Sequence, residues 1–147
     1  MTTATPSRIL LADGNRELSE RTAEALRGRP GAPELVGVED GGRFLMHFSR
    51  LARAGQPPKL CVLETQLAQV SGDAAALMMR AVERGLSLAP VPLLLYTLDP
   101  VDDALKRLIG RVGRAVHLQK APGLSTDEHS GRLVQALERL MAQLGGA

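Results

Sequence analysis

Residues 59–69 read KLCVLETQLAQ. Leu60, Cys61, Val62 and Leu63 make an unbroken apolar run, and a carboxylate, Glu64, follows it directly. A run this short that never alternates with polar residues suits a strand buried on both faces. Four more runs, at 9–12, 35–38, 91–96 and 115–118, have the same character, each bounded by Gly, Pro or charged residues.

Between the runs the apolar spacing turns helical. Leu18, Thr22, Ala25 and Leu26 share a face over 16–27; Phe44, Leu45, Phe48, Leu51 and Ala52 do so over 43–54. Leu77, Met78, Ala81 and Val82 mark 74–84, and Val101, Ala104, Leu105, Leu108, Ile109 and Val112 mark 101–112. A last amphipathic stripe runs through Leu133, Val134, Leu137, Leu140, Met141 and Leu144. Asp99 before Pro100, with Asp102 and Asp103 beyond, predicts an N-cap, a proline at the first helical position and acids at the positive end of the dipole. Ser125 and Glu128 have capping-box spacing. Strand and helix thus alternate five times, which predicts one α/β domain over 1–147, with a core of about 8–144 and a parallel sheet covered on both faces.

Composition narrows the function. The 18 basic and 16 acidic residues are scattered, and aromatics are only 2% of the chain, so neither a charge block nor stacking platforms for nucleic acid are present. No apolar run nears the ~20 residues needed to cross a bilayer, so no membrane partner is expected. The opening MTTATPSR has no secretory pattern, and one cysteine permits no internal disulfide, which together suggest a cytoplasmic protein. His47, His117 and His129 are far apart and Cys61 lies inside an apolar run, so no structural metal site is expected. Cys61 and the pair Met78 and Met79 read as core fillers.

In a parallel α/β sheet the carboxyl ends of the strands converge on one rim, where ligands and chemistry gather. Asp13, Glu64, Thr97 and Lys120 stand at the ends of strands one, three, four and five. With the stretches ILLADGN (9–15), CVLETQLAQVSGD (61–73), VPLLLYT (91–97) and VHLQKAPG (116–123), the chain resembles the receiver domain of bacterial two-component response regulators from Arg8 to Leu144. Leu67, Val70 and Gly72 match the family's pattern after the acceptor strand, where a glycine opens helix three. The resemblance implies a flavodoxin-like (βα)5 fold with strand order 2-1-3-4-5. It also makes Glu64 the phosphoacceptor equivalent, Asp13 and Gly14 the acidic pocket, Thr97 and His117 the switch pair, and Lys120 the rim lysine.

The departures concern chemistry. The family's acceptor is an aspartate; Glu64 carries its carboxylate one methylene further, and in-line displacement is sensitive to misplacements on the order of an ångström. Gly14 stands where the family has a second acid, leaving Asp13 and Glu64 as the sole candidate Mg²⁺ ligands, so no cofactor is expected. Ala121 separates Lys120 from Pro122, where the family has the two adjacent. A degenerate site in which Glu64 pairs with Lys120 is the reading taken; a mimic of the phosphorylated state and retained phosphorylation are the alternatives. His117 reads as a solvent-facing or hydrogen-bonded histidine, with a pH-sensitive rotamer switch as its alternative.

The expected function is therefore a phosphorylation-independent, non-enzymatic signalling module. It would bind other signalling proteins, or a second copy of itself, through helix four, strand five and helix five. Lys106, Arg107, Arg111, Arg132, Gln135 and Arg139 are the candidate contacts on that face. A chain that ends with helix five would need its output from another protein. The competing hypothesis is a small catalytic or ligand-binding site at the same rim; ADGNRE (12–17) offers one glycine and no phosphate loop in its support.

Overall fold

The computed structural model describes residues 7–145; residues 1–6, most of the stretch read for a secretory pattern, lie outside them. In chain order the elements are β1 (Arg8–Ala12), α1 (Arg16–Arg27), β2 (Glu34–Val38), α2 (Gly41–Arg53), β3 (Leu60–Leu63), α3 (Gly72–Gly85), β4 (Leu93–Thr97), α4 (Asp103–Val112), β5 (Ala115–Gln119) and α5 (Thr126–Gly145). The strands pair in parallel in the order β2-β1-β3-β4-β5.

The continuous apolar runs divide between two cores. Leu10, Ala12, Cys61, Leu63, Leu93 and Leu95 point to one face, where Phe44, Phe48, Ala75, Met79, Leu105 and Leu108 of α2, α3 and α4 cover them. Their alternates Ile9, Leu11, Leu60, Val62, Leu94 and Tyr96 point to the other, under Leu18, Leu26, Leu133 and Leu137 of α1 and α5. Central strands in a two-faced sheet need apolar residues at every position, which is why β1, β3 and β4 do not alternate. The edge strands differ: in β2 Gly37 is exposed and Leu35 and Val36 half-buried, and in β5 Val116 and His117 are exposed. Cys61 is fully buried, and burial followed by the nearby Glu83 pushes its thiol far up, so it acts as a small apolar core residue.

Helix starts follow capping chemistry. The side chains of Asn15, Asp40, Ser71 and Asp102 accept the N–H groups of Leu18, Arg43, Ala74 and Leu105. Ser125 and Glu128 form the reciprocal box at α5. One start departs from the sequence reading. Asp99 does not cap α4, because its carboxylate is taken by the Thr65 hydroxyl and the Gln66 amide; Asp102 caps instead, and Val101 falls outside the helix, 40% exposed. Likewise Met79 is buried, but Met78, one position round α3, is 48% exposed and fills no core space. Strand four begins at Leu93 rather than 91, since the Val91 N–H goes to the Glu83 carboxylate.

Gly72 lets the chain after β3 fold back onto itself. Its N–H donates to Thr65 O at 2.9 Å, and a Cβ there would stand 2.1 Å from Glu64 O and 2.7 Å from Thr65 Cα. Backbone atoms cannot yield as a side-chain tip would. Gly72→Ala is expected to lower stability by about 1–3 kcal/mol in urea denaturation. Gly14→Ala, with nothing within 4 Å of its Cβ, is expected to leave the midpoint nearly unchanged.

Candidate functional site

Three backbone hydrogen bonds extend the sheet past its strand ends and fix the rim. Asp13 N–H donates to Val38 O, Glu64 N–H to Ala12 O, and Lys120 N–H to Thr97 O, at 3.1, 3.0 and 2.7 Å. These bring Asp13, Glu64 and Lys120 together although they are separated by up to 107 positions in the chain. The Lys120 ammonium donates to Asp13 Oδ2 at 2.7 Å and to Glu64 Oε2 at 2.6 Å. The lysine side chain is 11% exposed and the two acids 7% and 8%, so all three charges are largely withdrawn from water. Two carboxylates and one ammonium leave the cluster one net negative charge.

Glu64 is saturated with donors. Oε1 accepts the N–H of Thr65 at 2.8 Å and that of Gln66 at 3.2 Å, and lies 3.1 Å from the Thr65 hydroxyl, while Oε2 holds the ammonium. Burial pushes the carboxyl up, but the Lys120 hydrogen bond and charge and the further donors outweigh it, and the group titrates below its ordinary value. Lys120 mirrors this: burial lowers it, and the bonds to Asp13 and Glu64 carry it above its ordinary value. Such a carboxylate is a weak nucleophile, since its lone pairs are engaged and its basicity is reduced.

Thr97 reaches the cluster through a residue the sequence reading passed over. The Thr65 hydroxyl lies 2.7 Å from Thr97 Oγ1 and 2.6 Å from Asp99 Oδ2. It has one proton, so Thr97 donating to Thr65 and Thr65 to Asp99 is an order that satisfies the chain, with Thr97 Oγ1 also accepting the Asp99 N–H at 3.1 Å. The signal for Thr65 was its place directly after Glu64. On the opposite side, Lys120 Nζ sits 5.2 Å from the Tyr96 ring centre, and the Tyr96 hydroxyl meets His129 Nδ1 at 2.9 Å. Burial first, then Lys120 and Arg132, lowers the His129 pKa, which favours the neutral imidazole as acceptor of the tyrosine proton. Tyr96 and His129 thus connect α5 to the rim; both are far apart in sequence, and only folding reveals the link.

The remaining predicted residues lie apart from the cluster. Gly14 is exposed with open space beside it. His117 is exposed on β5, in register with Leu95. Lys106, Arg107, Arg111, Gln135 and Arg139 are exposed; Arg132 is half-buried, donating to Gln119 O at 3.0 Å. Gln135 lines a groove between α1 and α5, on the side of α5 that faces α1.

As arranged, the two acids hold an ammonium. Asp13 Oδ2 and Glu64 Oε2 accept from Lys120, Asp13 Oδ1 accepts the Asn15 N–H, and Gly14 contributes no side-chain oxygen. Among the described residues there is no group of three or more His, Cys, Asp or Glu side chains placed to hold a metal ion.

No family model matches the chain, and none of the curated proteins does. Solved structures do. The phosphorylated cyanobacterial phytochrome response regulator RcpA aligns over 97% of each chain with 18% identity and a TM-score of 0.73. The fold is that of a response-regulator receiver domain. Response regulator Rcp1 in its Mn²⁺-bound form shares this receiver fold at 21% identity over 90% of this chain and 92% of its own, TM-score 0.69. The receiver domain of the histidine kinase CKI1 from Arabidopsis thaliana, complexed with Mg²⁺ and BeF3⁻, does so at 17% identity over 88% and 90%, TM-score 0.66. Among the described residues no helix is long and apolar enough to cross a membrane.

Proposed function

We propose that this receiver-fold chain is a signalling module that works without phosphoryl transfer and without a resident metal, by binding other signalling proteins. The observation that carries this is the Lys120 ammonium bridging Asp13 and Glu64 at 2.7 and 2.6 Å: it occupies the two carboxylates that metal-assisted phosphorylation would need. Glu64 stands where the family has a shorter aspartate and is held by the Thr65 and Gln66 N–H groups and the Lys120 ammonium. The neighbours solved with Mg²⁺, Mn²⁺ or BeF3⁻ share the fold, and the argument for this chain rests on how its own rim is filled. On this reading the rim carries out no turnover.

The partner surface is the α4–β5–α5 face, where Lys106, Arg107, Arg111 and Arg139 are exposed and Val116 leaves an apolar side chain 47% exposed. Basic residues around an apolar patch suit an acidic partner or a second copy of the chain.

The test is an NMR titration with Mg²⁺ and either acetyl phosphate or beryllofluoride. The Thr97, Glu64 and Lys120 resonances are expected to stay in place at millimolar ligand. Saturable, Mg²⁺-dependent shifts at these residues would restore a regulated switch. The double variant Gly14→Asp, Glu64→Asp serves as positive control, since Gly14 leaves room for the added carboxylate.

A further inference from the structure

Among the described residues the sheet order gives β2 a neighbour on one side only. The Glu34 N–H donates to Ser7 O and Val38 O accepts from Asp13, so residues 34, 36 and 38 face β1. In a parallel ladder the intervening residues, Leu35 and Gly37, turn their N–H and C=O groups outward. Neither has a hydrogen-bond partner among the described residues. Gly37 is exposed, yet a Cβ on it would stand 2.6 Å from Ser19 Cβ, so what it exposes is backbone at the sheet edge. An open row of this kind is a template for another strand.

This edge lies at the bottom of a groove of about 430 Å³ between α1 and α2, with Ala23, Leu35 and Val38 among its apolar lining. A second depression of about 410 Å³ shares Ala23, Arg27 and Leu35 with it and carries the trough on to Pro33, the length of β2. Three arginines line the first groove's walls, Arg16 and Arg27 from α1 and Arg43 from α2, against two carboxylates, Glu20 and Glu39. The Arg16 and Arg43 side chains are well exposed and pair with Glu39 and Asp40, and Arg27 has no ion pair among the described residues.

We infer that the β2 edge is a docking site for an extended acidic segment of a partner protein, added as a sixth strand with its carboxylates on the α1 side, toward Arg16 and Arg27. Backbone pairing supplies affinity in such strand addition, and the wall charges select the sequence. The site is separate from the α4–β5–α5 face.

The experiment is amide hydrogen exchange on the full chain with a capped heptapeptide of alternating valine and glutamate, and with its valine and lysine counterpart. The glutamate peptide is expected to slow exchange at Leu35 and Gly37 by about tenfold or more, and the lysine peptide to have no effect. Arg27→Glu, an exposed position, is expected to weaken the glutamate peptide about fivefold while leaving the fold intact. Equal protection by both peptides, no protection by either, or edge amides already protected in a dimer of the free protein would each overturn the assignment.

Discussion

Replacing Lys120 with methionine is expected to lower stability by about 3 kcal/mol at neutral pH. The substitution leaves Asp13 and Glu64, 5% and 6% exposed, as two unneutralised carboxylates at the same rim. Removing one member of a buried ion cluster typically costs about 3–5 kcal/mol, and the lower end applies because one side of this cluster opens to water. The pH dependence identifies the cause. In the native chain Glu64 titrates below its ordinary 4.5, so its contribution is present above 4.5 and lost as pH falls through the lowered value. Lys120 titrates above its ordinary 10.5, so its contribution is present below 10.5 and lost as pH rises beyond it. Stability from the cluster is therefore flat between these limits. Without Lys120 the burial of Glu64 loses its main offset, and its pKa is expected to rise. Measured against the native chain, in which the cluster contributes a constant amount, Lys120→Met is expected to gain stability between pH 7 and pH 5. Urea midpoints at the two pH values decide it; a flat variant would mean the carboxylates do not depend on the ammonium.

That cluster was legible because strand ends are legible. A continuous apolar run locates a central strand, and the polar residue that ends it must lie at the rim; Asp13, Glu64 and Thr97 follow from three such readings, while Lys120 stands one residue past Gln119, the end of β5. Thr65 and Asp99 escaped for a physical reason. Asp-Pro ahead of two acids has every local feature of a helix start, and nothing local shows that the Asp99 carboxylate has a stronger claim on it from Thr65 and Gln66, more than 30 positions away. The edge strands were also misjudged as buried on both faces, since composition does not say which strands lie outermost. Val116, His117 and Gly37 are exposed because β5 and β2 are edges. The same limit hid the buried pair Arg80 and Glu83, whose i,i+3 spacing on a helix reads as a solvated surface pair.

Arg80 joins three elements. Its Nε donates to Val112 O at 2.9 Å and Nη2 to Gly113 O at 2.8 Å, while Nη1 spans both Glu83 oxygens at 2.9 and 3.0 Å. Glu83 in turn accepts the Val91 N–H at 2.6 Å, leading into β4. The guanidinium thus caps the final carbonyls of α4, which a helix end leaves unsatisfied. Arg80 is 5% exposed and Glu83 2%, with no open side comparable to the rim. Arg80→Met is expected to cost about 3–5 kcal/mol, more than Lys120→Met, because it strands a buried carboxylate and orphans carbonyls together. The double variant Arg80→Met, Glu83→Leu is expected to recover a large part of that loss, since no unpaired charge remains. Amide exchange separates this from general damage: the 109–113 amides are expected to exchange faster in Arg80→Met while those of Glu64 and Thr65 keep their protection. Uniform acceleration across the sheet would mean that Arg80 supports the whole fold. Selective acceleration would mean that α4, the helix of the proposed partner face, is held at its far end by a buried clamp that does not involve the rim. A module whose rim is fixed by Lys120 needs such a second anchor if its partner face is to stay in one conformation.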